Sequence, residues 1–425
     1  MRGAPGGTAI VSERCITVSS IAPARACAAC AACAARAVVD APRGSRRPGD
    51  GSLRATVSNG PEPDKDRAPR RRALRSCTAC RVAMLPATVR PARSAPLTET
   101  NSSAANARRL PVTVLVTACC DSAPLRRCLE TLRAQVAAAG GELLLALNAA
   151  PAALAPDARA SLAALADRLV FEPCVGKSHA LNAGVAAARG DVIAFTDDDA
   201  IPQPGWLAAL LAPLRDPARP ADLVGAGGPV VVELPERTPE WYRALVRNAK
   251  IGPRHEPFTH ACDYPAGGDA PLVPIGANCA YRREVFERHR YDTCLGPNRA
   301  TGLRGGEDTL LGRRLLREGA RLRYCPDARV VHPIDAARTT YAYVRHGAYL
   351  QGVQNVLIAR ALGDPVEDPA RLRHRLAKLR RRRLAIWLSL AGVEGARRRE
   401  LALKQAIQRG RLDAIERPER FRGAE

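Results

Sequence analysis

The sequence predicts a doubly wound α/β fold, in which helices cover both faces of a sheet. Between residues 110 and 199, apolar runs rich in β-branched residues alternate with segments of helical period. The last of these runs, DVIAFTDDD at 191–199, ends in three aspartates. Ligands of such sheets bind beyond the carboxyl ends of the strands, so we expect a functional site at Asp197, Asp198 and Asp199.

The first half of this fold is predicted as four strands separated by three helices. The strands cover 110–118, 141–149, 169–173 and 191–199, and the helices cover 125–140, 156–169 and 178–190. Gly140 and Gly190 mark the ends of the first and third helices, because glycine favours a helix terminus.

The second half has fewer regular signals. We predict a strand with a glycine turn over 222–234, a loop-rich stretch over 235–270, a strand and a helix over 273–290, a turn and a helix over 305–319, and two strands over 321–333. Residues 339–365 have a largely helical period, and 371–393 join a basic segment to a short apolar one.

The 425-residue chain has a net charge of +23, which is distributed unevenly over three regions. Residues 1–110 carry +12, residues 111–334 carry +1 and residues 335–425 carry +10. We predict a low-complexity, disordered segment over 1–108, with an over-extended gene start as the alternative, then an α/β domain over 109–335 and a basic helical extension over 336–425. A nucleic-acid-binding fold more often carries its excess charge on the structured domain, so no nucleic acid partner is expected.

Cysteine content and hydropathy indicate a cytoplasmic protein. The fourteen cysteines belong to a chain too long for a small disulfide scaffold. CAACAAC with the later CTAC is a weak zinc pattern, and we expect Cys119, Cys120 and Cys279 to be buried, reduced thiols. No apolar run reaches the length of a membrane span.

The basic segment 371–393 has two interpretations. It fits a helix lying on an anionic membrane surface, which would make the protein peripheral at the inner membrane face. It also fits a solvated basic helix that packs on the core through Leu384, Ile386 and Leu388.

Three adjacent carboxylates repel one another unless a cation lies beside them. A hard divalent ion such as Mg²⁺ or Mn²⁺, bound together with substrate phosphates, is one partner that would offset this charge. A solvated acidic turn is an equal alternative for the triplet taken by itself.

Five segments resemble, in order, the motifs of family 2 glycosyltransferases with the GT-A fold. They are VTVLVTACCDSAPLRRCLETL, GKSHALNAG followed by GDVIAFTDDDAIPQPGWL, GANCAYRREVF, GGEDTLLGRRLLREG and a strand ending in VVHP, between about Pro111 and Pro333. The resemblance implies metal-dependent, inverting transfer from a nucleoside-diphosphate-sugar, with UDP the commonest nucleotide. It implies a glycan or lipid-linked acceptor and a role in cell-envelope or extracellular glycan synthesis.

The resemblance also implies roles for individual residues. Donor contacts would come from Thr117, Lys177, Asp197, Asp198 and Asn278, metal ligation from Asp199 and His332, and acceptor contacts from Trp241, Gly305 and Gly306. Lys177 would offset phosphate charge, with a solvated lysine as the alternative, and a structural strand-end histidine is the alternative for His332. Trp206 is expected to pack in the core.

Asp308 in GGED is the expected catalytic base, since a carboxylate beside the acceptor hydroxyl can remove its proton as the new bond forms. Glu307 would hold the acceptor or orient the loop, and the two residues could exchange roles. Both also fit an N-terminal helix cap, because acidic side chains favour the first turn.

One position departs from the family pattern. Family members usually have a base-contacting aspartate after the second strand, whereas ALNAAPA has Leu147 there, followed by Asn148. The nucleotide therefore stays open, and a non-catalytic nucleotide-sugar-binding or assembly protein is the alternative function. A nucleotidyltransferase would need a glycine-rich basic loop near the first strand, and ACCDSAP is not one.

Overall fold

The computed structural model describes residues 110–247, 256–267, 272–388 and 395–421. The predicted disordered segment 1–108 and the zinc-like cysteine pattern lie outside the described residues. The same is true of 389–393, the end of the predicted basic segment.

Strands and helices alternate through the first half of the described chain. The strands are β1 Leu110–Ala118, β2 Glu142–Leu147, β3 Arg168–Phe171, β4 Gly190–Asp197, β5 Ile201–Pro202, β6 Leu223–Gly227, β7 Val230–Glu233, β8 Cys262–Asp263, β9 Cys279–Arg282, β10 Gly296–Pro297, β11 Arg304–Gly305, β12 Arg321–Tyr324 and β13 Val330–Pro333. The α-helices are α1 Ala123–Ala138, α2 Pro156–Leu165, α3 Lys177–Ala187, α4 Trp206–Arg215, α5 Glu240–Arg247, α6 Glu284–Arg288, α7 Glu307–Arg317, α8 Tyr341–Ala361, α9 Pro369–Leu388 and α10 Gly395–Glu416.

Within the described residues, the main sheet has eight strands in the order β3-β2-β1-β4-β9-β6-β12-β8. Strands β3, β2, β1 and β4 run parallel. Strand β9 is antiparallel to both β4 and β6, and β12 is again parallel to β6. The predicted α/β class is confirmed, with a mixed sheet as its centre.

Helices cover both faces of this sheet, which explains why its central strands are apolar throughout. On β1, Val114 and Val116 pack in one core with side chains of α1 and α4. Leu115 points to the opposite core, which includes side chains of α3 and α7. Strands buried on both faces read as continuous apolar runs rather than alternating ones.

A second sheet of three strands, β5-β13-β7, places the end of β13 near the aspartate triplet. It also corrects two expectations. Residues 222–234 form two strands in different sheets, β6 in the large one and β7 in the small one, rather than a single strand with a turn. The stretch predicted as loop-rich contains α5 and the short strand β8.

The C-terminal extension is helical, as predicted. Leu350, Val353 and Ala414 of α8 and α10 share one apolar cluster, and Leu372 and Leu376 of α9 pack with Leu412 of α10.

Of the three side chains expected to pack α9 on the core, the structure describes only Leu384, and it is 55% exposed. Among the described side chains of α9, the buried ones, Leu372 and Leu376, lie in its first half. Among the described residues, none of the helices combines the length and hydropathy needed to cross a membrane.

Candidate active site

The aspartate triplet lies at the carboxyl end of the parallel strand β4. That strand ends at Asp197, whose register partner on β1 is Thr117. Thr117 and Asp197 are buried, whereas Asp198 and Asp199 lie half-buried in the following turn. Burial and the two flanking carboxylates raise the pKa of Asp198. The end of this strand therefore gathers three acidic side chains at one edge of the sheet.

Asp197, Asp199 and His332 form a group that could hold a metal ion, since their ligand atoms all lie within 4.8 Å of one another. His332 is fully buried at the end of β13, with its Nε2 3.2 Å from Asp199 Oδ1. Neither of these two buried atoms makes a hydrogen bond. Two carboxylates and an imidazole suit Mn²⁺, and carboxylates suit Mg²⁺, so these residues fit the divalent ion implied by the resemblance.

Arg338, which the sequence analysis did not predict as a site residue, binds the second carboxylate oxygen of Asp199. It lies in the 3₁₀ turn Ala336–Thr339, is 4% exposed, and its Nη2 lies 3.1 Å from Asp199 Oδ2. Burial raises the pKa of Asp199, but His332 and Arg338 lower it by more, so the net change is downward. Burial likewise lowers the pKa of His332, and Asp199 raises it by more. The carboxylate of Asp199 is therefore ionised, with His332 on one side and the Arg338 guanidinium on the other.

Lys177 lies at the start of α3 with its Nζ paired to Asp197 Oδ1. Burial lowers the pKa of Lys177, but Asp197 and Glu307 raise it by more, so the ammonium stays protonated. The side chain is 19% exposed, which places its charge inside the site rather than in solvent.

Asp308 is held by hydrogen bonds at the start of α7. Its Oδ2 accepts the Gly276 N–H at 2.8 Å, and its Oδ1 accepts the Thr309 N–H at 2.6 Å. Gly306, which precedes the helix, has a φ of +99°, a conformation that L side chains rarely adopt. This turn directs the Asp308 carboxylate toward the loop before β9.

Glu307 is more deeply buried than a residue that only caps the N-terminus of a helix would be. It is 3% exposed, and its Oε2 is buried without a hydrogen-bond partner. Burial and the neighbouring Asp308 raise the pKa of Glu307 to about 8, although Lys177 acts in the opposite direction. Glu307 is therefore largely protonated at neutral pH, in contrast to the ionised Asp199.

These elements enclose a small cavity between the strand ends and α7. It is lined by Thr117, Lys177, Leu181, Phe195, Thr196, Gly276, Tyr291, Glu307 and Asp308. The structure thus brings together four predicted site residues that lie in three separate sequence motifs: Thr117, Lys177, Glu307 and Asp308.

Asn278 occupies a different position from the donor-facing one that the resemblance implies. Its Oδ1 accepts the Trp206 Nε1–H at 2.8 Å, and its Nδ2 donates to the carbonyls of Pro229 and Ala328. The residue is 0% exposed, so its amide bridges three segments of the core. Trp206 is also fully buried, which agrees with the packing role expected for it.

The three expected acceptor contacts do not face the cavity together. Trp241 packs edge-on against Tyr242 and Tyr341, with the Arg399 guanidinium 5.5 Å from its ring centroid. Gly305 pairs with Gly296 across β10 and β11. Gly306 serves the turn before α7, and a Cβ at Gly306 would meet Leu295 and Ile358.

Asn148, next to the departing Leu147, organises the loop after β3. Its Oδ1 accepts the Gly176 N–H at 2.8 Å, and its Nδ2 donates to the carbonyls of Glu172 and Cys174. Leu147 itself is 1% exposed in the core. The position therefore supports the loop that leads into Lys177.

The described cysteines are all free thiols, but two differ from the expected burial. Cys279 is buried, whereas Cys119 and Cys120, just after β1, are half-buried. The Cys120 thiol lowers the pKa of Cys119 to about 6; burial opposes this, and Arg299, which donates to Cys119 Sγ at 3.0 Å, adds to it.

Comparison with known proteins identifies a family. Residues 109–348 match the family model "Glycosyltransferase like family 2". A Haloferax volcanii protein, glucosyl-dolichyl phosphate glucuronosyltransferase, is 27% identical over 197 residues, covering 44% of this chain and 59% of the relative. The pre-mycofactocin glycosyltransferase of Mycobacterium tuberculosis is 32% identical over 160 residues, covering 37% of this chain and 30% of the relative. The chain thus spans less than two thirds of the length of either relative.

Among solved structures, a mannosyltransferase from Pyrobaculum calidifontis in complex with GDP-Man and Mn²⁺ is similar at 18% identity and a TM-score of 0.44. The match covers 71% of this chain and 88% of that one.

Proposed function

The chain belongs to glycosyltransferase family 2, and from that premise we propose that it is a metal-dependent, inverting enzyme. It would move a sugar from a nucleoside-diphosphate-sugar to an acceptor hydroxyl. The observation that carries the proposal is the group of Asp197, Asp199 and His332, whose Asp197 pairs with Lys177, and Lys177 lines the same cavity as Asp308.

The donor would bind at the strand ends. Asp197, Asp199 and His332 would hold Mn²⁺ or Mg²⁺, and such an ion neutralises the charge that develops on the leaving diphosphate. Thr117, Asp198 and Lys177 would contact the donor, with the Lys177 ammonium supplying a fixed positive charge beside the phosphates. UDP is the nucleotide we propose to test first.

The Asp308 carboxylate would act as the base in a single displacement at the anomeric carbon. Two backbone N–H groups and the Thr309 hydroxyl hold it, and they leave a lone pair on Oδ2 to accept the proton of an acceptor hydroxyl. Glu307, which retains its proton near neutrality, is better suited to donating a hydrogen bond than to removing a proton.

The acceptor and setting are proposed as a glycan or lipid-linked sugar in cell-envelope or extracellular glycan synthesis. The name of the Haloferax relative, which describes transfer to a dolichyl-phosphate-linked glucose, supports the lipid-linked class. We also propose that the basic helix α9 holds the protein at an anionic membrane surface, at the inner face of a cytoplasmic membrane. Its sequence holds eight Lys and Arg side chains and no acidic one.

Nucleotide release from UDP-, GDP- and dTDP-sugars, with Mn²⁺ or Mg²⁺, tests the proposal. Many glycosyltransferases hydrolyse their donor slowly in the absence of acceptor, so the assay can be made before the acceptor is known. We expect release from one donor, abolished by chelation and by Asp199→Ala. Asp308→Asn should reduce turnover by about 10²–10⁴-fold, the usual contribution of a general base, while donor affinity measured by calorimetry stays within about twofold.

Glu287→Gln, on the exposed surface of α6, is the matched control and should behave as wild type. Donor binding without turnover, unchanged in Asp308→Asn, would favour the non-catalytic alternative. Lack of metal-dependent binding to every donor would contradict the proposed function.

A further inference from the structure

Two thiols lie side by side in the loop that follows β1. The Sγ atoms of Cys119 and Cys120 are 3.8 Å apart, and both residues are half-buried, so the pair is partly accessible to solvent. Thr117, at the end of the same strand, lines the cavity of the candidate active site. The sugar transfer proposed above uses neither thiol, so their placement there has a different chemistry to explain.

The Arg299 guanidinium faces the first of these thiols. Its Nη2 donates to Cys119 Sγ at 3.0 Å. Arg299 lies in the turn after β10, which the buried Asn298 holds. The Asn298 Oδ1 accepts the Ala300 N–H at 2.8 Å, and its Nδ2 donates to the Val175 carbonyl at 3.1 Å. The turn therefore keeps a guanidinium charge against a sulfur atom, and a neighbouring cation stabilises a thiolate.

The contacts around Cys119 favour its ionised form. The Cys120 thiol lowers the pKa of Cys119, burial opposes this, and the charge of Arg299 lowers the pKa further, to about 6. Asp198, in the turn after β4, acts against the thiolate: burial and its flanking carboxylates raise the pKa of Asp198, and Cys119 adds to that rise. A partly accessible thiolate is the form of cysteine that attacks electrophilic sulfur.

We propose that Cys119 is a modification site, at which a small organic disulfide transfers one of its thiol halves to the protein. The Cys119 sulfur anion attacks one sulfur of the disulfide R–S–S–R. A new S–S bond joins R–S to Cys119, the old S–S bond breaks, and R–S⁻ leaves with the electron pair and takes a proton from water. The Cys119 sulfur is oxidised and the leaving half is reduced, so the step needs no further oxidant.

Cys120 is poorly placed to displace this adduct by closing a disulfide with Cys119. Consecutive Cα atoms lie about 3.8 Å apart, whereas disulfides usually join residues whose Cα atoms are about 4.4–6.8 Å apart. The expected product is therefore the mixed disulfide. Cys120 is a positioning residue, because its S–H can donate to the thiolate of its neighbour.

Reaction of the full-length protein with bis(2-hydroxyethyl) disulfide, which is uncharged, tests this site. Peptide mass spectrometry follows the adduct at each cysteine at pH 6, so donor hydrolysis is not part of the readout. Accessibility alone would make the exposed Cys174 and Cys294 react first. We expect Cys119 to react about tenfold faster than either. An unperturbed thiol is almost fully protonated at pH 6, and the weaker nucleophilicity of a less basic thiolate cancels only part of this advantage.

The double variant Cys120→Ala, Arg299→Gln separates ionisation of Cys119 from access to it. It should slow modification of Cys119 by about tenfold at pH 6 but not at pH 9, where the thiolate forms in both proteins. Arg288→Gln, which replaces an exposed arginine on α6, should match wild type at both pH values.

The site is overturned if Cys119 reacts no faster than Cys174 and Cys294 at pH 6. An equal loss of rate in the double variant at pH 6 and pH 9 would likewise overturn it, because a change in access rather than in ionisation would then be responsible. A disulfide between Cys119 and Cys120 in place of the adduct would overturn the assignment of a mixed disulfide.

Discussion

At the residue scale, the cleft holds two acidic side chains in opposite protonation states. His332 and Arg338 keep Asp199 ionised by lowering its pKa. Burial and the neighbouring Asp308 instead raise the pKa of Glu307 to about 8. An ionised group and a protonated group in one site allow metal binding and hydrogen-bond donation to coexist at neutral pH.

Glu307 predicts a pH dependence of stability in metal-free protein. Its folded pKa of about 8 exceeds the unfolded value of about 4.3, so the folded state binds the proton more tightly. The stabilisation is therefore complete below about pH 4 and is lost as the pH rises toward 8, by an amount on the order of a few kcal/mol. Glu307→Gln, which stays neutral, should show a smaller fall in its thermal midpoint between pH 5 and 8.

The exposed Glu287→Gln is the control, and its thermal midpoint should follow wild type across the same pH range. An identical pH slope in Glu307→Gln and wild type would contradict the raised pKa. The measurement is made with a chelator present, since a bound cation would change the charge of the cleft.

At the scale of elements, the C-terminal extension depends on a close crossing of α8 and α10. A Cβ on Gly352 would lie 2.0 Å from the Ile407 carbonyl oxygen, and a Cβ on Gly410 would lie 1.9 Å from that of Tyr349. These two glycines let the helix backbones touch, and no side-chain rotation can relieve a clash with backbone.

Gly410→Ala should therefore destabilise the protein by roughly 1–3 kcal/mol, although alanine is the better helix former by about 1 kcal/mol. Gly395→Ala, at the start of α10, is the matched control, since its Cβ would meet only the Arg399 side chain. Differential scanning calorimetry should show a lower midpoint for Gly410→Ala alone. An unchanged or higher midpoint would mean that the helices are not in backbone contact.

The elements also show what a sequence pattern can predict. Strands β1, β2 and β4 were predictable because they are buried on both faces and so read as apolar runs. Helix α5 was missed although its eight described residues are amphipathic, because a pattern of two turns is too brief to distinguish a helix from a loop. The packing role expected for Leu384 was wrong, because helical period alone does not say which turns of an exposed helix meet a partner.

Only those site residues that lie within short sequence motifs were predictable. Asp197, Lys177 and Asp308 belong to motifs that the family resemblance aligns, whereas Arg338 reaches Asp199 from 139 positions away. Asn278 shows the reverse case, since a motif residue serves the core through contacts with segments far along the chain. Long-range contacts of single side chains leave no local pattern in the sequence.

At the scale of the whole molecule, charge is separated between the domain and its extension. Residues 111–334 are nearly neutral, while 335–425 carry +10. On α9, six cations are outside any ion pair with described residues: Arg371, Lys378, Arg380, Arg381, Arg382 and Arg383. Of these, Arg383 donates a hydrogen bond to Gln405. Exposed Leu384 follows them on the same helix. An exposed basic surface next to an apolar side chain is the composition of a membrane-surface helix.

This surface predicts binding to anionic vesicles. The protein should sediment with vesicles containing phosphatidylserine and remain free with pure phosphatidylcholine, and salt should weaken the binding. Replacing Arg380, Arg381 and Arg382 by Gln should lower the partition coefficient by about 10²-fold at low salt, at about 1 kcal/mol for each cation. Donor hydrolysis in solution should be unchanged, because these residues lie outside the cleft.

The control removes the same charge elsewhere, with Arg127, Arg237 and Arg288, all exposed, replaced by Gln. If both triple variants lose vesicle binding equally, net charge rather than α9 is responsible and the oriented surface is wrong. If only the α9 variant loses binding, the basic helix is the contact, and an acceptor held in a lipid bilayer becomes the natural substrate to test in the donor assay. Binding to RNA rather than to vesicles at the same salt concentration would instead assign the helix to nucleic acid.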